Sequence, residues 1–532
     1  MKKKLFLAIL AAFSLAAHAE SSPGSFAVRG YVVEGNALLA PDEVEATLHP
    51  YTGDAVDFAT IQAAVGALEK HFADAGYGLV KIVLPEQDIE DGRVRLRVVE
   101  SRIGRIFVDG NRHFSEANVL ASVPGLSEGG RPNMREIDAQ LRVANENAAK
   151  QTNVVVRRGV REGEVDALLR VADENPLRFA VLADNTGPRD QDNSYTTGQA
   201  RVGAVIQHSN LFDRDHALSM QVITSPGHVS DVKIFGAGYR IPLYASGDAL
   251  EFAYGYSNVN SGKLTTAAGS YGISGSGHLF VAKYEQFLPK VGEWLPKLTY
   301  GLDYRIYTNN VTPDGGGESL IPNAEVHPFS LTYSGNARLA GQEFWGSLAW
   351  VHNIPGGKDG TTDDFTKPGG RQAATASYQL WRYSFGMTQT LPADWQLKGA
   401  VQGQHTSNAL ISGEQFGAGG MDSVRGFNER AVSNDYGTRG ALELYTPDLG
   451  ALMNLSEVRA RALLFYDAAW LRRNHALPGE IKSQNISSYG VGLRFGFAKN
   501  LSARLDFASV DHGDDVRQPG SKRLHLSLMG FF

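Results

Sequence analysis

The chain has 532 residues, 51 lysines and arginines against 57 aspartates and glutamates for a formal charge of −6, and 42% hydrophobic residues. That apolar content excludes a disordered chain, while 20% charged residues and 59 glycines lie below and above the usual shares of roughly 25% and 7% and point to extensive β-structure. Cysteine is absent, which excludes disulfide staples, thiolate metal sites and cysteine nucleophiles and suits passage through an oxidising periplasm; the mild negative balance argues against a nucleic-acid partner.

Lys2, Lys3 and Lys4 form a positive n-region, Leu5 to Leu15 an apolar run, and Ala17-His18-Ala19 a small-x-small cleavage site. Residues 1–19 therefore read as a signal peptide, with a mature chain expected from Glu20. The apolar run falls short of the roughly 20 residues of a transmembrane helix, and no later stretch is long enough either. The mature protein is expected to be exported and not to be an α-helical membrane protein.

Two styles of sequence meet near Pro176. Before it, Val33-Glu34-Gly35-Asn36 recurs as Val108-Asp109-Gly110-Asn111, a repeat of about 75 residues. Each copy opens with a β-rich strand, Phe26 to Val33 and Ile103 to Val108, followed by a Gly-Asn turn. A helix is expected from Pro41-Asp42-Glu43 in one copy and from Ser115-Glu116 in the other, with acidic residues at the positive end of the helix dipole. Longer helices follow: Phe58 to Ala75, with Ile61, Val65, Leu68 and Phe72 at helical spacing and a stop at Gly76, and Met134 to Lys150 after an Asn133 cap. Two strands close each copy. Val80 to Leu84 is expected to pair with Val94 to Val98 across Asp91-Gly92, and Val154 to Val156 with Val165 to Val171 across Glu162-Gly163. The pattern is β-α-α-β-β twice, two small α+β domains at 20–101 and 102–175.

After Pro176 the helical signal disappears. Leu250, Phe252, Tyr254 and Tyr256 alternate with Glu251, Ala253, Gly255 and Ser257, and Leu298 to Tyr307 alternates likewise. A sandwich also alternates but divides into units of about 100 to 200 residues, and no such division is visible over 176–532. A transmembrane barrel has lipid outside, a polar lumen inside and long loops on one side; at roughly 22 residues per strand and connection, this region holds about sixteen antiparallel strands. Thr186 to Thr196, Thr312 to Val326 and Pro355 to Gly370 read as long outer loops. The last strand alternates Leu524, Leu526, Leu528, Gly530 and Phe532 with His525, Ser527, Met529 and Phe531, ending on an aromatic residue at the expected interfacial girdle.

No nucleophile elbow, zinc-protease, P-loop or calcium-loop motif occurs, and the 14 histidines make no ligand spacing. No enzyme activity, cofactor or metal is expected. Gly417-Ala418-Gly419-Gly420 could be read as a phosphate loop, but no helix pattern follows it, and in a barrel it is a flexible stretch leading into a loop. Next comes Met421-Asp422-Ser423-Val424-Arg425-Gly426-Phe427-Asn428-Glu429-Arg430. On residue chemistry alone, Arg425 reads as a solvated charge.

Gly420 to Phe427 resembles the signature of the long sixth loop of two-partner-secretion outer-membrane transporters, the TpsB family typified by FhaC and ShlB. Phe465-Tyr466-Asp467-Ala468-Ala469 resembles that family's F-x-D-x-G strand motif, with Ala469 in place of the glycine. The repeat resembles two POTRA domains, including Gly76-Tyr77 and Leu84-Pro85-Glu86-Gln87, and Gly440 to Pro447 resembles the strand after the loop. The resemblance runs from about Phe26 to Phe532.

It implies that the loop around 415–435 folds back into the lumen, with Val424, Arg425, Gly426 and Phe427 as its motif. Arg425 would pair with Asp467 beside Phe465 on the inner wall; the alternative is that Asp467 only lines a polar pore. It implies a transporter in the outer membrane with periplasmic POTRA domains, taking an unfolded large exoprotein (an adhesin, haemolysin or other toxin) from the periplasm to the surface without ATP. The partners expected are that exoprotein and outer-membrane lipid, with no nucleic acid, and the protein itself a monomer. Capture is expected by β-augmentation at a POTRA edge, around Ala75 to Leu84 and Thr152 to Val156, with Gly76, Tyr77, Val80 and Val154 as contact residues. With only Glu20 to Ser25 ahead of the first strand, no plug helix is expected, and closure falls to the sixth loop and the POTRA domains. The rival readings are a general insertase of the BamA type, which usually carries more periplasmic repeats, and a passive porin or gated receptor.

Overall fold

The computed structural model describes residues 25–532 except 90, 162, 190–193, 196, 260, 261, 268, 274, 275, 310–318 and 320. The signal-peptide reading and parts of two expected outer loops, 190–193 with 196 and 312–318 with 320, lie outside the described residues. Two compact units separate. One holds the described residues up to Arg105 with Ser127–Arg135 and Arg158–Asp166; the other holds Ile106–Leu126, Glu136–Arg157 and Ala167–Phe532.

In the first unit, helix Phe58–Asp74 starts where Asp57 accepts the Thr60 N–H at 2.8 Å, and it buries Ile61, Ala64, Leu68 and Phe72. These residues pack with Val94, Leu96 and Val98 of a three-stranded sheet. The sheet's spatial order is Gly30–Glu34, Arg93–Val99, Lys81–Val83, the first pair parallel and the second antiparallel. The expected strand Phe26 to Val33 is divided in two. Phe26–Val28 pairs instead with Gly53–Val56, a strand with too little alternation to be read from sequence.

The repeat has a physical basis. Gly35 sits at φ +80°, where a Cβ would lie 2.8 Å from the Val98 carbonyl oxygen, and the Asn36 side chain donates to the Leu39 carbonyl at 2.9 Å. Gly110, at φ +90°, would collide in the same way with the Val171 carbonyl, and Asn111 donates to the Phe114 carbonyl at 2.9 Å. Only glycine fits at either place, and the asparagine closes the turn into the helix.

The second copy contains helices Glu116–Ala121, capped by Ser115, and Met134–Ala144. Its sheet has the order Arg102–Asp109, Glu164–Asp173, Lys150–Arg158. The helix expected to run to Lys150 stops at Ala144, a correction with a local cause. The Asn145 side chain accepts from the Thr152 N–H at 2.6 Å and donates to its carbonyl at 2.9 Å, while Asn147 accepts from the Ala149 N–H. Two asparagines thus offer the backbone a turn in place of the helix, and Lys150 begins a strand nine residues long.

From Leu177 to Phe531 the chain forms a closed antiparallel barrel. Its strands are Leu177–Asp184, Arg201–Leu211, His216–Thr224, Lys233–Leu243, Asp248–Ser257, Gly277–Phe287, Trp294–Tyr307, Pro328–Leu339, Gln342–Asn353, Gln379–Thr390, Gln396–His405, Tyr436–Tyr445, Val458–Arg472, Ser483–Phe497, Leu501–His512 and Lys522–Phe531. Ala324–Val326 continues Pro328–Leu339 alongside the same neighbour, so the wall has sixteen staves, as expected. Closure pairs Ser527 with Asp184 and Phe531 with Ala180. Connections such as 212–215, 244–247 and 340–341 are tight on one rim, while 354–378 and 406–435 are long on the other.

Alternation assigns the two faces. Along Val458–Arg472, Leu463, Phe465, Asp467, Ala469 and Leu471 are buried, while Leu464, Tyr466 and Trp470 are exposed to the outside. In the final strand Leu524, Leu526 and Leu528 point outward and Arg523 and His525 are buried. Among the described residues no helix is long and apolar enough to cross a membrane; the apolar outer belt belongs to strands. Leu464 lies near the middle of its strand on that belt, so Leu464→Arg is expected to lower barrel stability by about 2–4 kcal/mol, read from urea unfolding in lipid vesicles.

Candidate functional site

The sixth long connection, 406–435, turns into the barrel. Its arms pair as a short hairpin, Phe416–Ala418 with Val432–Asn434. Gly419 and Gly420, at φ +110° and +107°, break the strand at its tip, the reason this glycine run neither extends nor becomes a helix. The tip then lies against the inner wall. Val424 and Phe427 are fully buried with Ala418, Val432, Ala469, Leu471, Ile486 and Val510. Gly426, at φ +96°, sits where a Cβ would meet Ala508 and Val510 at 3.4 Å, and its N–H donates to His525 Nε2 at 2.8 Å.

Arg425 is 2% exposed. Its Nε and Nη2 donate to the two Asp467 oxygens at 2.6 and 2.7 Å, and its own backbone N–H donates to Oδ2 at 3.1 Å. Nη1 lies 2.8 Å from Glu443 Oε1 and 3.5 Å from Asp506 Oδ1, and the guanidinium sits 3.5 Å from the centre of the Phe465 ring. One cation therefore faces three carboxylates from three strands. Arg494 and Arg504 each hold Asp506, at 2.8 and 2.7 Å, and Arg504 reaches back to Asp422 of the loop at 2.7 Å. The cluster sets three arginines against three wall carboxylates, with Asp422 of the loop as a fourth carboxylate at its half-exposed edge. The bidentate fork is a geometry only arginine supplies.

The loop is tied at other points too. Asn428 exchanges hydrogen bonds with the Arg189 backbone at 3.0 and 2.8 Å and accepts from Arg523 at 2.6 Å. Buried Glu414 accepts from Tyr307 at 2.6 Å and pairs with Arg305 and Arg382 at 2.8 and 3.2 Å. Buried Asp435 accepts from Leu410 N at 2.8 Å and from Asn474 N at 2.7 Å.

Val424, Arg425, Gly426, Phe427, Phe465 and Asp467 thus lie together in the lumen. Ala469, the departure from the glycine of the motif, leaves the strand in regular register between Arg439 and Ile486 and packs in the apolar cluster around Phe427. Glu443, Asp506, Glu414 and His525 were not singled out from sequence as site residues. The available signal was a charge at every second position of an otherwise apolar strand, as in Arg504-Leu505-Asp506-Phe507.

The four expected capture residues fall in the two separate units, Gly76, Tyr77 and Val80 in the first and Val154 in the second. The Gly76 carbonyl accepts from Met134 N at 2.8 Å, Tyr77 N donates to Phe72 at 2.8 Å, and Val80 is buried with its N–H on Tyr77. On the adjoining edge strand Lys81–Val83, the Ile82 N–H is taken by Glu69 at 3.1 Å. That edge is short and capped, as protected edges are. Val154 lies on the nine-residue edge strand Lys150–Arg158, beyond the point where Asn145 caps Thr152.

A family model for the haemolysin secretion/activation protein ShlB/FhaC/HecB matches residues 163–495, and one for the ShlB-type POTRA domain matches 26–101. In sequence the chain is similar to the outer membrane transporter CdiB of Escherichia coli, 24% identical over 498 residues that cover 91% of this chain and 78% of that protein. It is also similar to the heme/hemopexin transporter protein HuxB of Haemophilus influenzae (strain 86-028NP), 21% identical over 513 residues covering 90% and 83%. In fold it is similar to CdiB from Escherichia coli, with TM-score 0.73 and 20% identity over 98% of this chain and 93% of that one. CdiB from Acinetobacter baumannii gives TM-score 0.71 and 15% identity over 96% and 91%.

Breaking a buried ion pair by removing one partner costs about 3–5 kcal/mol. Arg425→Ala is therefore expected to raise trypsin cleavage after Arg430 by roughly a hundred- to a few thousandfold, through a larger open population of the loop. An unchanged rate would mean that the loop is held by its other ties.

Proposed function

The chain belongs to the ShlB/FhaC/HecB family of haemolysin secretion/activation proteins, and from that premise we propose how it works. It is an outer-membrane transporter of two-partner (type V) secretion. Residues 20–101 and 102–175 act as two POTRA domains in the periplasm and 176–532 as the barrel. The substrate is one large exoprotein, an adhesin, haemolysin or other toxin, received unfolded. It is captured by adding a strand to a POTRA edge, where main-chain hydrogen bonds give affinity without demanding a fixed sequence. The strand bearing Val154 is the better edge of the two, being longer and less capped than Lys81–Val83.

The observation that carries the mechanism is the loop inside the lumen with Arg425 on Asp467. A polypeptide crossing this barrel has to pass the place that the loop occupies. The wall offers Glu443, Asp467 and Asp506 side by side with Arg494 and Arg504, so the loop's arginine can pass from one carboxylate to the next as the loop shifts, which keeps charges from being stranded in the lumen. Transport without ATP then draws its direction from folding of the exoprotein outside the cell. The transporter works as a monomer embedded in outer-membrane lipid.

The test compares secreted and outer-membrane proteomes of cells with the wild-type chain, without it, and with Arg425→Ala at equal barrel level. Loss of one large secreted or surface protein in both altered strains, with other barrels unchanged, is expected. Broad depletion of barrels would replace this reading with a general insertase, and normal secretion by Arg425→Ala would remove the loop from the mechanism.

A further inference from the structure

The strand Lys150–Arg158 begins with a lysine whose side chain is completely buried. Lys150 Nζ lies 2.6 Å from Asp215 Oδ2 and donates to Asn118 Oδ1 at 2.8 Å, above the Phe114 ring at 5.1 Å. Asp215 closes the tight turn 212–215 between the second and third barrel strands. The same carboxylate accepts from Tyr244 of the next tight turn at 2.5 Å and from Asn118 Nδ2 at 3.2 Å. Asn118 also donates to the Asp213 carbonyl at 3.0 Å, and Asn147 donates to the Ser209 carbonyl at 2.8 Å. Further along the rim, Arg142 donates to the Leu288 carbonyl at 2.7 Å. Burial draws the Lys150 ammonium below the usual lysine range while Asp215 opposes that shift.

A lone buried ammonium is costly, and a buried pair does not hold a fold together better than apolar packing would. What such a pair supplies is register, since the charges have one low-energy arrangement and no apolar substitute for it. We propose that Lys150 and Asp215 form a latch that fixes the capturing edge strand to the barrel mouth, so that an extended polypeptide added along Lys150–Arg158 has one end at the lumen. Lys150 is then a positioning residue for transport, acting through the strand that it starts. The proposal rests on the reading of that strand as the capture edge.

The absence of cysteine makes the test direct. Ala139 and Gly247 meet where a Cβ on Gly247 would lie 3.1 Å from the Ala139 Cβ, a few tenths of an ångström inside the roughly 3.5–4.5 Å that a disulfide spans. Ala139→Cys with Gly247→Cys should therefore form a tether that does not touch the latch. Gly247 stands at φ +73°, so the tether costs some local strain, which the same tether in the wild-type background controls for. The full-length membrane-inserted transporter carrying this tether is expected to secrete within twofold of wild type, oxidised or reduced. Lys150→Met, which keeps most of the buried stem, is expected to cut secretion at least tenfold while barrel level and heat-modifiability stay unchanged. The oxidised tether should restore that variant to within about threefold, and reduction should remove the rescue. Normal secretion by Lys150→Met, no rescue by the oxidised tether, or arrest of the wild-type chain by the tether would each overturn the latch. A photocrosslinker at Val154 tests the underlying reading separately. Capture of exoprotein that persists in Lys150→Met while secretion falls is the expected pattern, and no capture by the wild-type chain would overturn the edge assignment on which the latch depends.

Discussion

A guanidinium cut off from water inside a barrel has to be met by carboxylates, and the lumen here is built around that requirement. Arg425 brings the tip of a long loop to Asp467, with Glu443 and Asp506 completing its surroundings. Because the carboxylates come from different strands, the pairing depends on the closed wall and its register. A shift of one residue in Val458–Arg472 would turn Asp467 to the lipid and Leu464 or Tyr466 to the loop. The ion pair is therefore a readout of correct barrel closure as well as a hold on the loop.

Two buried ion pairs, one at the barrel rim and one in the lumen, use the same chemistry. At the periplasmic rim one buried lysine meets Asp215, and deep in the lumen one buried arginine meets Asp467. In both cases asparagine, tyrosine or backbone groups satisfy the remaining oxygen lone pairs, so neither carboxylate is left with an unmatched charge. The difference lies in the cation. Arginine forks onto two oxygens and fixes orientation; lysine is a point charge that fixes position. Orientation suits a loop tip that has to lie against a wall, and position suits the start of a strand packed on a tight turn of the barrel rim.

Much of this was legible in the sequence. The Gly-Asn repeat located both α+β copies because Gly35 and Gly110 are required by the same collision with a neighbouring carbonyl. Period-two alternation gave the barrel, since one face of every strand meets lipid, and the length of 176–532 at roughly 22 residues per strand and connection gave its sixteen strands. The loop tip and its aspartate came from a resemblance, because nothing in the local chemistry of Arg425 distinguishes a buried arginine from a solvated one. The helix end at Ala144 was misplaced because its cause, Asn145 reaching Thr152, is a tertiary contact. Glu443, Asp506 and the Lys150–Asp215 pair were missed for a related reason. Each partner stands far along the chain from the other, and only the folded register brings them together.

The central claim is that the Arg425–Asp467 interaction itself holds the loop in the lumen. A double-mutant cycle on amide hydrogen exchange of residues 416–434 measures it most directly, using Arg425→Ala, Asp467→Ala and the pair in the membrane-inserted protein. The account predicts strong coupling, with the double variant exchanging about as fast as either single one. Additive effects of the two substitutions would contradict it.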